Sequence, residues 1–252
     1  MIVTENISKS FGKQKVLDDL NLTIEEGKIT VIIGKSGAGK SVLLKHLIGL
    51  LKPDSGKIIF QDKDITRVSD KELKNIRLNF GVLFQDAALF DSLTVFENVA
   101  FPVIEHKLLK DRKKLKELVK ETLSLVELEN IEDKMPSELS GGMRKRVGLA
   151  RAIITKPKII FFDEPTTGLD PITSMSIAKL IKQMQEKLKT TCFIISHDLS
   201  LTFKIADRIG FLHNGRIMEF GDRHSIKNSK NPIVIEFLES YYTGEENEQQ
   251  KS

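Results

Sequence analysis

A single cysteine, Cys192, stands in the 252-residue chain. No internal disulfide and no cysteine-based metal cluster can form, and a reducing compartment is the expected setting. Long apolar runs are equally scarce, since none approaches the roughly 18 to 20 residues that a membrane-spanning helix needs. The opening stretch, residues 1–12, is polar and lacks the apolar centre of a secretory leader, so a cytoplasmic location is expected. Charge of one sign is thin as well. The 39 Lys and Arg against 35 Asp and Glu leave +4, which permits an acidic partner without demanding one. What is present is an ordinary globular composition, 40% hydrophobic and 29% charged, with enough length for a substantial core.

The pattern along the chain is that of strands alternating with helices. Residues 1–56 read as short strands and turns, with mixed polar and apolar residues over Val16–Ile24. The β-branched run KITVII, ending at Ile33, reads as a buried strand, and Val42–Leu51 as the helix after it. A strand is predicted at Lys57–Phe60, and Ser69 followed by Glu72 has capping-box spacing for a helix to about Ile76. Helical spacing returns over Leu109–Leu128, after Gly142 to about Thr155, and over Ile172–Leu188. Strands are predicted at Ile159–Phe162 and Thr191–Ile195. Alternation of this kind predicts an α/β fold with a mostly parallel sheet. The helical stretch of about 86–156 interrupts it as an inserted subdomain. The polar tail after Gly244 is expected to be disordered.

Two motifs carry chemistry. Gly34-Lys35-Ser36-Gly37-Ala38-Gly39-Lys40-Ser41 matches GxxxxGK[ST] between a predicted strand and a predicted helix. Glycines let successive N–H groups turn inward around phosphate oxygens, and the helix N-terminus adds its dipole. Lys40 suits the β and γ phosphates, and the Ser41 hydroxyl suits Mg²⁺. Further on, Ile159–Phe162 leads into Asp163 and Glu164. A parallel strand ends at the ligand crevice, which suits Asp163 to orienting Mg²⁺ and Glu164 to polarising an attacking water.

Leu139-Ser140-Gly141-Gly142-Met143 resembles the LSGGQ signature of ATP-binding-cassette (ABC) ATPases, with Met143 in place of the usual Gln. Other family elements follow in order. Gln85 in LFQD resembles the Q-loop glutamine, a Mg²⁺ ligand that also senses the permease. Gly168-Leu169-Asp170 resembles the D-loop, and His197 in IISHD the switch histidine that meets the γ-phosphate. Phe11 occupies the place of the aromatic that stacks on adenine; as a residue on its own it equally suits a core. Val42 follows the phosphate motif where most importers have Thr.

The resemblance covers residues 1–225. It implies a P-loop NTPase fold with a RecA-like sheet, an N-terminal antiparallel β portion and the inserted helical subdomain, followed by an extension over 226–252. It also implies ATP and Mg²⁺ as ligands and a head-to-tail ATP-sandwich homodimer. There Ser140, Gly141, Gly142 and Met143 would close over nucleotide held by the other copy. Met143 removes a polar amide near the ribose.

Within the family, GKSVLLKHLIGLLKPDSG, ALFDSLTVFENV and SGGM are closest to the Mla-type (Mce-associated) phospholipid transporter ATPases. That implies an integral permease of the inner membrane, docked near Ala87–Val99, with Mce-domain and STAS-domain proteins as further partners. The chain is then peripheral on the cytoplasmic side. The segment Asn231–Glu239 either reaches a partner subunit or packs on its own domain. The alternatives are a small-solute importer and a cell-division complex of the FtsE type. A DNA- or ribosome-directed ATPase is disfavoured by the single cassette and the lack of sustained heptads, and no nucleic-acid partner is expected. The basic run His106–Lys120 has helical spacing and reads as a solvated face.

Overall fold

Two long strands open the chain. β1 (Ile2–Phe11) and β2 (Gln14–Ile24) pair antiparallel, Phe11 opposite Gln14, around a turn in which Gly12 takes φ +60°. With β4 (Ser55–Phe60) and β5 (Lys63–Asp64) they make an antiparallel sheet in the order β2-β1-β4-β5. This is the antiparallel portion expected at the N-terminus. The computed structural model describes residues 1–249. They form two compact units, one of Met1–Val68 with the chain from Ile195 on, the other of Ser69–Ile194.

The first unit also holds β3 (Ile29–Ile33), buried at every position as its β-branched run requires. β3 runs parallel to β9 (Arg208–His213), which pairs antiparallel with β10 (Arg216–Gly221). Between β3 and β4 lies α1 (Lys40–Leu47), shorter than the Val42–Leu51 the apolar spacing predicts. Gly49, at φ +72°, ends it, and the N–H groups of Leu50 and Leu51 both turn back to the Lys45 carbonyl. Three helices close the unit: α7 (Leu199–Ile205), α8 (Arg223–Lys227) and α9 (Pro232–Gln249). Val234, Phe237 and Leu238 of α9 are buried, and the Phe237 ring lies 5.0 Å from Phe211 of β9. The C-terminal segment thus packs on its own unit. Its helix runs past Gly244 to Gln249, where disorder was expected, because it continues a turn already anchored by those apolar contacts. The last three residues of the expected disordered tail lie outside the described residues.

The second unit begins with α2 (Asp70–Arg77), capped by the Ser69 hydroxyl accepting from the Glu72 N–H at 3.3 Å. β6 (Phe80–Leu83) and β7 (Ile159–Asp163) pair in parallel, and the strand order continues to β8 (Thr191–Ile195), which ends at the unit boundary. Phe161 is fully buried, with Phe80 and Phe193 edge-on to it at 5.3 and 5.9 Å. The fully buried Phe161 and Phe193 rings each contribute roughly 1.5 to 3 kcal/mol by leaving water.

Between β6 and β7 the chain is helical: α3 (Val95–Glu105), α4 (Arg112–Leu125), a 3₁₀ turn at Pro136–Glu138 and α5 (Gly141–Ile153). α6 (Pro171–Leu188) then joins β7 to β8. On α4 the basic residues Arg112, Lys113, Lys114, Lys116 and Lys120 are exposed while Leu115, Val119 and Leu123 are buried. The basic run is a solvated face there. α5 lies hard against β6: a Cβ on Gly148 would meet Leu83 Cδ1 at 2.8 Å and Ala87 Cβ at 2.9 Å. No helix among the described residues is long and apolar enough to cross a membrane.

Candidate functional site

In the first unit, buried β3 ends at Gly34 and the chain loops into α1. Gly34, at φ +155°, has no room for a side chain, because a Cβ would stand 2.2 Å from the Leu212 carbonyl oxygen of β9. Gly39 adopts φ +105°, and a Cβ there would stand 2.9 Å from the Val16 carbonyl oxygen. One side of the loop therefore rests on backbone, while Lys35, Ser36 and Gly37 on the other side are exposed. α1 has no side-chain oxygen at its N-cap and no acidic residue in its first turn. A helix start without a side-chain cap or an acidic first turn of its own suits an incoming phosphate.

Lys40 is buried, and its ammonium bends over the loop to donate to the carbonyls of Gly34 at 2.8 Å and Lys35 at 3.3 Å. Ser41 is exposed at the start of α1 and Val42 half-buried beside it, with Ala38 buried in the loop. A phosphate suits this cradle, which pairs an uncapped helix start with one buried amine.

Phe11, at the β1–β2 turn, is 48% exposed, with the Lys9 ammonium 5.6 Å from its ring centroid. It is a surface ring and no part of the core. His197 is exposed in the turn between β8 and α7. That turn is held by the Ser196 N–H donating to the Ile32 carbonyl of β3 at 3.0 Å and by Asp198 capping α7. A contact not legible beforehand ties the loop to the C-terminal helix: Lys35 Nζ lies 2.9 Å from Glu236 Oε1. That ammonium holds the Glu236 carboxyl below the usual range.

In the second unit, the parallel pair β6 and β7 carries Gln85 and Asp163-Glu164 off the same end. Gln85 is exposed, and Asp163 and Glu164 are half-buried. Glu164 takes the left-handed backbone region at φ +49°. Its Oε2 accepts from the Thr167 hydroxyl at 3.3 Å, and its carbonyl accepts from the Thr167 N–H at 3.3 Å. Asp170 caps α6 by accepting from the Thr173 N–H at 2.9 Å, and hydrogen bonds from the Thr173 hydroxyl and then this N–H hold its carboxyl below the usual range. Ser140 caps α5, accepting from the Met143 N–H at 3.3 Å, with Gly141, Gly142 and Met143 half-buried at the helix start. As in α1, the first turn of α5 has no acidic residue.

The hydroxyl of Ser41, the amide of Gln85 and the carboxylate of Asp163 are hard oxygen donors. Each is of the kind that Mg²⁺ takes alongside phosphate oxygens and water. Among the described residues no three His, Cys, Asp or Glu converge as a protein-only metal cage.

The second unit also bears an apolar groove of about 390 Å³, lined by Phe84, Phe90, Phe101, Pro102 and Arg151 among others. Phe90 and Phe101 are 43% and 38% exposed, with ring centroids 4.8 Å apart. Asn98, fully buried, accepts from the Phe90 N–H at 2.8 Å and donates to the carbonyls of Phe90, Leu93 and Thr94, so the loop presenting Phe90 is braced. The exposed apolar surface is therefore narrower than the expected Ala87–Val99. Ala87, Val95 and Val99 are interior, since they lie on the inward side of α3 and its entry loop.

Sequence reasoning missed Lys145, Thr167, Glu236 and the helix α3. The last was signalled: Thr94 and Glu97 form a reciprocal capping box. Lys145 lies in helical register with buried Leu149 and Ala152, a signal hidden between Arg144 and Arg146.

Comparison with known proteins returned a match to the ABC transporter family model over residues 17–167. A probable ribonucleotide transport ATP-binding protein, mkl, of Mycobacterium tuberculosis is 44% identical over 94% of this chain; the chain spans 66% of that relative's length. The intermembrane phospholipid transport system ATP-binding protein MlaF of Haemophilus influenzae is 40% identical, covering 97% of this chain and 92% of its own. The methionine import ATP-binding protein MetN of Carboxydothermus hydrogenoformans is 43% identical over 97% of this chain and 73% of its own. Among solved structures, the dimeric ATP-binding cassette MJ0796 in a post-hydrolysis state, bound to ADP and Pi, superposes with a TM-score of 0.81 at 32% identity. That match covers 88% of this chain and 98% of the cassette.

Proposed function

The chain belongs to the ABC transporter family of ATPases, and we propose that it hydrolyses ATP to drive phospholipid or related lipid transport through an integral-membrane permease. The observation that carries the lipid reading is the 40% identity to a phospholipid transport ATPase across nearly the whole of both chains. The Val42, SGGM and ALFDSLTVFENV residues support it from the sequence.

In this reading the N–H groups of the Gly34–Ser41 loop and the Lys40 ammonium bind the phosphates, and Phe11 offers its exposed face to adenine. Ser41, Gln85 and Asp163 would hold Mg²⁺, which when bound would neutralise phosphate charge. Glu164 takes a proton from the attacking water, its carboxylate steadied by Thr167, and His197 contacts the γ-phosphate. Ser140 and the N–H groups of Gly141 and Gly142, with Met143 beside them, close over the nucleotide of a second copy, and Asp170 lies in the segment that follows the catalytic acids. Two copies using the same surfaces form an ATP sandwich. The dimeric cassette structures among its relatives support this. The Phe90–Phe101 groove receives the permease, whose partners include Mce-domain and STAS-domain proteins. The chain acts at the cytoplasmic face of the inner membrane, with no nucleic-acid partner.

A second reading, an importer of small solutes, draws on the relative named for methionine import. Purification from membranes in mild detergent, with mass spectrometry of proteins and lipids, separates the two. A permease with an Mce-domain protein and bound phospholipid is the expected result. A solute permease with a solute-binding protein and no lipid overturns the lipid reading and leaves the ATPase standing.

A further inference from the structure

Lys145 is a lysine in the wrong solvent. It is only 5% exposed on α5, and burial pushes its pKa below the ordinary lysine value. A buried ammonium is strongly disfavoured unless it is paired and hydrogen-bonded. Here it donates to the main-chain carbonyl of Gln85 and, at 3.4 Å, to that of Glu164. The carboxylates of Asp86, Asp163 and Glu164 attract it electrostatically. Gly148, with no room for a side chain against Leu83 and Ala87, is what lets α5 come close enough for this reach.

The two carbonyls are not equivalent passers-by. Gln85 and Glu164 leave the same end of adjacent parallel strands, and Glu164 holds a left-handed φ of +49°. That region is strained for a residue bearing a Cβ and persists only where its surroundings hold it. Restraints on the Glu164 carbonyl include the Thr167 N–H and the Lys145 ammonium. Relaxing the turn would swing the carboxylate away from its Thr167 partner.

We infer that Lys145 is a positioning residue for ATP hydrolysis: its ammonium clamps the Gln85 and Glu164 carbonyls together and so sets the turn that aims the Glu164 carboxylate. The inference rests on Glu164 being the base. The two carbonyls Lys145 grips belong to residues outside the phosphate-loop motif and outside those assigned to adenine. It acts on the chemical step and not on ATP binding, because misplacing a reacting group by about 1 Å lowers the rate by up to about a hundredfold.

The test uses the full chain and steady-state ATPase assays, with single-turnover assays for the slowest variants. K145M, matched in length but without donors, is expected to lower kcat about 10- to 100-fold with KM for ATP within about twofold. K145R, which keeps charge and donors, is expected to recover most of the rate. In the E164Q background K145M is expected to cost nothing further, since both act through one carboxylate. If K145M does not fold, K145Q against K145R gives the same comparison. Wild-type kcat in K145M, a loss carried by KM, or a multiplicative loss in the double variant overturns the inference. Wild-type hydrolysis by E164Q overturns the assignment of the base itself; a slow E164Q beside a wild-type K145M overturns the positioning role alone.

Discussion

The ammonium of Lys35, in the phosphate loop, and the carboxylate of Glu236, on α9, stand 2.9 Å apart. Both side chains are solvent-exposed, so the pair is screened by salt and adds little to stability. Its effect falls on the loop, where Glu236 places a negative charge beside a site built for anions. Glu236→Gln is expected to tighten ATP binding roughly two- to threefold at low ionic strength, with the gain fading as salt is raised. Titration of a fluorescent ATP analogue at two salt concentrations measures this. Unchanged affinity at low salt would show that the ion pair does not tune the loop.

Gly34→Ala forces a Cβ to within 2.2 Å of the Leu212 carbonyl oxygen, which is backbone and cannot swing aside. The loop must part from β9, at a strain of roughly 1 to 3 kcal/mol. ATP affinity is expected to fall about tenfold or more. Calorimetric binding of wild-type strength would mean that the loop accepts the methyl group without moving.

Glu164→Gln keeps the size and one acceptor of the side chain but removes its basicity. Turnover is expected to fall by about 10² to 10⁴, with nucleotide retained and the dimer persisting in ATP. Phosphate release and size-exclusion chromatography with ATP present check both halves.

Phe90→Asp puts a charge into the groove between Phe101 and Arg151. Basal ATP binding is expected to survive, because Phe90 belongs to a loop braced by Asn98 and is not among the residues assigned to the nucleotide. Co-purification with the permease is expected to be lost. A variant that still recovers the permease in full would place the docking surface elsewhere.

His46 is fully buried on α1, its Nδ1 paired with the Val42 carbonyl at 2.7 Å, and burial holds its pKa below the usual value of about 6.5. The nearby charges are Lys9, which lowers it further, and Asp54, which opposes the shift. With the folded pKa depressed, the unfolded chain binds a proton more readily as pH falls below about 6.5. Its share of stability is thus complete above that pH and declines below it, down to the folded pKa. His46→Leu is expected to flatten the fall in thermal midpoint between neutral pH and about pH 5.5. An identical slope in both proteins would remove His46 as its source.

Much of the candidate site was legible because its chemistry is local. Gly34 to Ser41 must be contiguous to wrap one phosphate group, and Asp163-Glu164 must directly follow the strand that delivers them. Ser69 acts on an N–H group three residues away, which made its cap legible from spacing, and Ser140 and Asp170 cap their helices at the same distance. α3 escaped notice despite its capping box, because Pro102 within it and an apolar content spread around its faces blur the helical period. The C-terminal helix was underestimated for a related reason: its polar end is held through Val234, Phe237 and Leu238, whose partner Phe211 is remote in sequence.

By itself the sequence determined the phosphate loop, the acids after β7, the signature helix start and the alternation that makes an α/β fold, because each depends on neighbours along the chain. Only the tertiary structure decided that Phe90 faces solvent while Val95 and Val99 do not, that Lys35 meets Glu236, and that Lys145 reaches the Gln85 and Glu164 carbonyls. These relations join residues far apart in sequence. They come into being when strands pair and helices pack, and no local period or spacing encodes them.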